Sequence, residues 1–290
     1  MASRADAIIE PSRVPPGRAI ELPGRGTTFI REVAGPPGAP TVMLLHGLSA
    51  TGGLNWLWAF EPLGRHYRVI AIDHRGHGHG IRTRRFRLAD CADDVAALAD
   101  VLGIDAVVPV GYSMGGPIAQ LLWHRHRSLV RGMVLCATSR NFRGNPREIG
   151  LWSMLPFVTA GIRTAPGMAR RAFMTRVMER RLPQFAARDW VIEEMSGNDP
   201  AVLAEAASAL ARFSSHEWIG GVDVPTAVVL TRRDRLVPPS RQLKMAEAIP
   251  GARVIPVDGD HSVCVSDPSA FVPALQTALT TVMALMPRAV

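Results

Sequence analysis

Short apolar runs alternate with amphipathic stretches along most of this chain. Thr41–Leu45, Ala106–Val110, Val130–Cys136 and Pro225–Thr231 are largely apolar, bounded by turn formers or polar residues, and too short for helices. Such runs read as strands buried on both faces. Tyr67–Ile72 and Arg253–Val257 are two further strand candidates. Between them, Leu88–Leu102 carries Leu88, Cys91, Ala92, Val95, Leu98, Ala99 and Leu102 at helical spacing, so one face is apolar. Leu54–Leu63, Met114–His124, Ser240–Ala248 and Pro268–Met286 also read as helices. Strand and helix in alternation predict an α/β fold, with a mostly parallel central sheet and helices on both faces.

The rhythm breaks at two places. Residues 1–17 are rich in Pro, Arg and Gly and read as a loose leader. After them Arg18–Leu22 and Thr27–Val33 are strand-like and joined by Pro23-Gly24-Arg25-Gly26, a hairpin signal. From 139 to 218 no strand candidate occurs, and Pro146, Pro156, Pro166, Pro183 and Pro200 separate helical stretches. The expected organisation is therefore a leader (1–17), a first core part (18–138), a helical insertion (139–218) and a second core part (219–290).

Composition narrows the class. With 290 residues, 47% of them hydrophobic, the chain can bury a large core without covalent staples. Cys91, Cys136 and Cys264 are scattered and odd in number, which fits neither a disulfide framework nor a metal spacing. The N-terminus lacks the basic start and continuous apolar run of a signal peptide, so a cytoplasmic location is expected. Net charge is +8, carried by arginine with Lys244 as the sole lysine. No basic stretch is interleaved with aromatics, which argues against a nucleic-acid partner. The charge is compatible with contact at an anionic membrane surface. Oligomeric state leaves no mark in the sequence.

Chemistry concentrates at Gly111-Tyr112-Ser113-Met114-Gly115. This G-x-S-x-G follows a strand candidate and precedes a helix candidate, the setting of a nucleophile elbow. Glycines two residues either side of Ser113 leave room for a tight turn, and the helix N-terminus favours negative charge there. A serine hydroxyl needs a base to become nucleophilic. His261, in the loop between the strand Arg253–Val257 and the final helix, is the candidate. Asp234, just past the strand Pro225–Thr231, is the candidate acid that orients it. Asp258 and Asp260 are rivals too close to His261 in sequence to reach its far nitrogen.

An oxyanion needs aimed donors. The Met114 N–H is one candidate; the other lies in His46-Gly47-Leu48, directly after the strand Thr41–Leu45, with Leu48 N–H as donor and His46 as a brace. The loop Asp73-His74-Arg75-Gly76-His77-Gly78-His79-Gly80 is histidine-rich. Its glycines make a mobile ligand frame and no cysteine completes a site, so no metal and no cofactor is expected.

Together, His46-Gly47, Asp73–Gly78, Gly111–Gly115, Asp234 and His261 resemble, in kind and order, the α/β-hydrolase superfamily, in its lid-bearing branch of esterases and lipases. The resemblance spans about residues 18–287. It implies a helical lid at 139–218, with Leu151, Trp152, Leu155 and Phe157, and further apolar residues such as Met168 and Phe173, lining an acyl pocket. It implies a small-molecule ester with a lipophilic acyl group as substrate, cleaved through an acyl-enzyme. Serine as nucleophile separates the chain from relatives that use aspartate there. Ser49–Gly53 lacks the glycine run of hormone-sensitive-lipase relatives. The same three residues could serve thioesters, carbon–carbon bond hydrolysis, acyl transfer or perhydrolysis. A ligand receptor on this fold would differ by showing little turnover.

Overall fold

The computed structural model describes residues 10–142, 166–181 and 188–286. Eight strands form one sheet in the order β1-β2-β4-β3-β5-β6-β7-β8. They are β1 (Gly17–Leu22), β2 (Gly26–Val33), β3 (Thr41–Leu45), β4 (Arg68–Ile72), β5 (Val107–Tyr112), β6 (Met133–Cys136), β7 (Thr226–Thr231) and β8 (Arg253–Val257). The β1–β2 and β2–β4 pairs are antiparallel, and every other pair is parallel.

Alternation along the central strands sorts side chains into two cores. Met43 and Leu45 of β3, with Ile70 and Ile72 of β4, pack on α3 (Leu88–Val101) and α4 (Gly115–Arg125). Val42, Leu44, Val69 and Ala71 face the other way, with Trp56, Phe60, Phe271 and Leu275. This division is the period-2 geometry of strands acting on runs that are apolar at every position. The final helix, Pro268–Leu285, is long and apolar enough to cross a membrane by length and composition. Here it lays Phe271, Leu275, Ala278, Leu279 and Val282 on the sheet.

Three elements differ from expectation. Leu54–Leu63 is not one helix but two, α1 (Gly52–Trp56) and α2 (Phe60–Gly64). Pro62 has no N–H for the Trp58 carbonyl; the break puts it in the first turn of α2, where no such bond is needed. Strand β5 runs on to Tyr112 because Gly111 and Tyr112 pair with Leu135 and Cys136. The leader is fastened where it is described: Arg31 Nη1 donates to the Pro15 carbonyl at 2.8 Å, and Arg13 pairs with Glu61 at 3.1 Å.

Between β6 and β7 the described residues form α5 (Gly167–Arg181), α6 (Arg188–Ser196) and α7 (Pro200–Arg212). The two ends of this stretch meet at its base, where Asn141 and Ser214 form an antiparallel bridge and Ser215 N donates to Arg140 O at 2.9 Å. Leu151, Trp152, Leu155 and Phe157 lie outside the described residues. Met168 and Phe173 do not line a buried pocket; they are 78% and 68% exposed.

Candidate active site

Parallel pairing aligns the carboxyl ends of β3, β5, β7 and β8 along one edge. Leu45 sits opposite Gly111, and Thr231 opposite Val257. The segments that leave these strands therefore converge, although they are far apart in sequence.

Ser113 follows β5 in a left-handed conformation, φ 51°. Its backbone is held by Ser113 N donating to Cys136 O at 2.9 Å and by Thr138 Oγ1 and Gly116 N donating to its carbonyl at 2.7 and 2.9 Å. The turn closes only without flanking side chains. A Cβ on Gly111 would lie 2.3 Å from Gly115 O, and one on Gly115 would lie 2.0 Å from Leu45 O. Both obstacles are backbone, so neither can swing away. Gly115→Ala is expected to destabilise the protein by at least about 2 kcal/mol. A chemical melt of Gly115→Ala superimposing on wild type would contradict this packing.

His261 Nε2 lies 2.9 Å from Ser113 Oγ, and Nδ1 lies 2.7 Å from Asp234 Oδ2. A carboxylate only accepts, so Nδ1 carries the proton and Nε2 is left to accept from the serine. Tyr112 Oη donates to the His261 carbonyl at 2.9 Å, fixing the loop that carries the imidazole. Tyr112 is itself buried against Trp56 and Phe271.

Asp234 is buried and its carboxylate is fully engaged. Oδ1 accepts from Leu236 N and Val237 N at 2.9 and 2.8 Å, and Oδ2 accepts from Thr231 Oγ1 at 2.9 Å. Gln242 Nε2 donates to Thr231 Oγ1 and to Val237 O, both at 2.7 Å, locking that frame. Both rival acids are engaged elsewhere: Asp258 pairs with Arg233, and Asp260 accepts from Ser262 N and Oγ.

The loop after β3 passes beside the serine; a Cβ on Gly47 would lie 3.4 Å from Ser113 Cβ. Asn55 Oδ1 accepts from Gly47 N at 2.9 Å. His46 braces both neighbours, its Nδ1–H donating to Gly47 O at 2.8 Å and its Nε2 accepting from His74 N at 3.0 Å. Among the described residues, neither the Leu48 N–H nor the Met114 N–H donates to a protein acceptor. Two amides in the segments beside Ser113 thus remain available to a negatively charged acceptor.

The histidine-rich loop is packed inward. His46, His74 and His77 are buried, with ring centroids 4.4 Å (His46–His74) and 5.3 Å (His46–His77) apart. His79 stands against Phe29. Among the described residues no group of three or more His, Cys, Asp or Glu side chains could hold a metal ion. Asp73 ties this loop to the α1 N-terminus, accepting from Gly52 N at 2.8 Å and His79 N at 2.9 Å. Burial pushes its carboxyl up, and those two N–H bonds oppose the rise.

Burial lowers His46 to about 4 and His77 to about 3, and holds His74 well below the ordinary imidazole range, with neighbouring imidazoles adding to the drop at His74 and His77. An unfolded histidine titrates near pH ~6.5, so below that value the unfolded chain binds more protons than the folded one. Stability from these three groups is therefore full above pH ~6.5 and is lost as pH falls toward ~4, at up to about 1.4 kcal/mol per unit for each. The melting temperature is expected to fall steadily from pH 7 to pH 5. A flat profile across that window would show that these imidazoles are not held neutral.

Comparison with known proteins bears on the fold. The chain is 28% identical over 242 residues to a putative carbamate hydrolase RutD of Agrobacterium fabrum, across 80% of this chain and 90% of that one. Among solved structures it resembles an enol-lactonase from Burkholderia xenovorans, with a TM-score of 0.72 and 24% identity over 91% of this chain and all of that one. An esterase from Exiguobacterium antarcticum superimposes with a TM-score of 0.73 at 18% identity, over the same 91% of this chain and all of that one. A family model described as alpha/beta hydrolase fold matches residues 40–268, from the start of β3 to the start of the final helix. The chain belongs to the alpha/beta hydrolase fold family.

Proposed function

We propose that this protein is a serine hydrolase that cleaves a carboxylic ester through an acyl-enzyme. The observation that carries the reading is the unbroken hydrogen-bonded series Ser113–His261–Asp234 lying beside the free amides of Leu48 and Met114. As Ser113 Oγ attacks the ester carbonyl, its proton passes to His261 Nε2. The imidazolium is stabilised by Asp234, and the carbonyl oxygen takes negative charge between the two amides. Collapse breaks the bond to the alcohol, which leaves with the proton from His261. Water, deprotonated by His261, then attacks the acyl-enzyme and releases the acid and Ser113.

A second bond class is favoured by the similarity to putative carbamate hydrolases. The same groups would form a carbamoyl-enzyme, and nothing in the oxyanion geometry separates the two. A lipophilic acyl group is the substrate reading supported by the apolar composition of residues 151–158. A panel of p-nitrophenyl esters from acetate to decanoate, run beside a p-nitrophenyl carbamate and matching thioesters, tests the reading. Turnover of a medium-chain ester above the carbamate supports it. Turnover of the carbamate alone replaces the ester by the second bond class. No turnover of any member, with ligand-induced stabilisation instead, would move the protein to a receptor role.

A further inference from the structure

Glu194 and Asn198, two buried polar side chains of the insertion, reach the core beside the loop after β3. Glu194 of α6 pairs with Arg31 of β2 at 2.5 Å and accepts from Thr51 Oγ1. Thr51 in turn caps α1, accepting from Leu54 N at 3.1 Å. Asn198, just past α6, is 2% exposed and uses both ends of its amide on the core. Its Oδ1 accepts from Gly78 N at 2.7 Å, and its Nδ2 donates to Ser49 O at 3.0 Å. Close approach of the two backbones makes this possible: a Cβ on Gly197 would lie 1.9 Å from Gly78 O.

Ser49 immediately follows the oxyanion donor Leu48 and holds a left-handed φ of 65°. Such a conformation in a non-glycine residue persists only where its surroundings impose it. The Leu48 amide is flanked on one side by Gly47, which Asn55 and His46 hold. On the other side, the Ser49 carbonyl is held by Asn198. Among the described residues, that is the side-chain hydrogen bond to the Ser49 backbone. A buried amide that fully satisfies two loop groups in this way is costly to lose, because both groups would be left unpaired.

We propose that Asn198 is a positioning residue for the oxyanion hole, so that the insertion between β6 and β7 aims the Leu48 amide. The proposal rests on the serine-hydrolase reading. Seating the Gly197-Asn198 turn on the core sets the Ser49 peptide and, through it, the direction of the Leu48 N–H. The donor is then aligned only when the insertion is docked. This ties catalytic competence to the position of the insertion.

The test compares wild type with Asn198→Ala and Asn198→Asp. The aspartate keeps the volume and the acceptor for Gly78 N but sets a second carboxylate oxygen against the Ser49 carbonyl. It keeps the experiment readable if the alanine variant does not fold. Loss of one aimed oxyanion donor costs about 10²–10³-fold in kcat. Misaiming it should cost about 10- to 100-fold, with KM changed less than about threefold. Affinity for an alkyl boronic acid, which forms a tetrahedral adduct on Ser113, should fall in parallel with kcat. A folded variant with kcat and boronate affinity within twofold of wild type overturns the proposal, as does a rise in KM alone. Failure of wild type itself to turn over substrate or bind the boronate instead overturns the serine-hydrolase reading on which it rests.

Discussion

Asp234→Asn is expected to lower kcat by about 10⁴-fold while leaving the fold intact. The surroundings of the carboxylate dictate how the amide would sit. Leu236 N and Val237 N both point at the Oδ1 position, so the asparagine oxygen must stay there. Its NH₂ group then takes the Oδ2 position, facing His261 Nδ1. A donor at that place forces the imidazole into the tautomer with its proton on Nε2, which cannot accept from Ser113. The charge that would stabilise the imidazolium is lost as well. Steady-state kinetics with a thermal melt as control is the measurement. Near wild-type turnover of Asp234→Asn, with Asp258→Asn or Asp260→Asn inactive, would reassign the acid.

Ser113→Ala is expected to lose at least about 10³-fold in turnover with little change in stability. Members of such a unit are interdependent, so the base and acid achieve little once the hydroxyl is gone. The residual rate should come from the amides of Leu48 and Met114 and from substrate binding. An organophosphonate should label wild type at Ser113 and nowhere else. Mass spectrometry placing the adduct on another residue, or finding none where a control hydrolase labels fully, would remove Ser113 from the chemistry. Glycine adopts the positive φ of position 113 without a Cβ penalty, so Ser113→Gly should be somewhat more stable than Ser113→Ala while equally inactive.

Ser113, His261 and Asp234 were legible because each stands where the chain's own pattern changes. The serine lies between glycines at a strand-to-helix junction, the histidine follows a late strand, and the acid follows another. Leu48 and Met114 could be named as candidate donors by position, since backbone amides depend on where the strand ends and not on the side chain. Thr138, Gln242, Asn55 and Tyr112 were not. Each is one polar or aromatic residue among many, and its importance comes from a partner between 5 and 149 positions away. Tyr112 alone carried a signal, standing directly before the serine in the turn.

The sequence by itself determined the class of fold, the approximate order of strands and helices, the residue types able to do nucleophilic chemistry, and the break in rhythm after β6. These are local properties: periodicity, turn formers and spacing act over a few residues and need no partner to be read. Tertiary structure alone decided where β5 ends and how Pro62 divides a helix in two. It also decided that the polar residues Glu194 and Asn198 of the insertion are buried, with Asn198 against Ser49 in the loop after β3. The physical reason is that burial and hydrogen-bond satisfaction belong to pairs of groups. Ser49 and Asn198 lie 149 positions apart, and until the sheet registers its strands and the insertion folds back, neither sequence position says what the other will need.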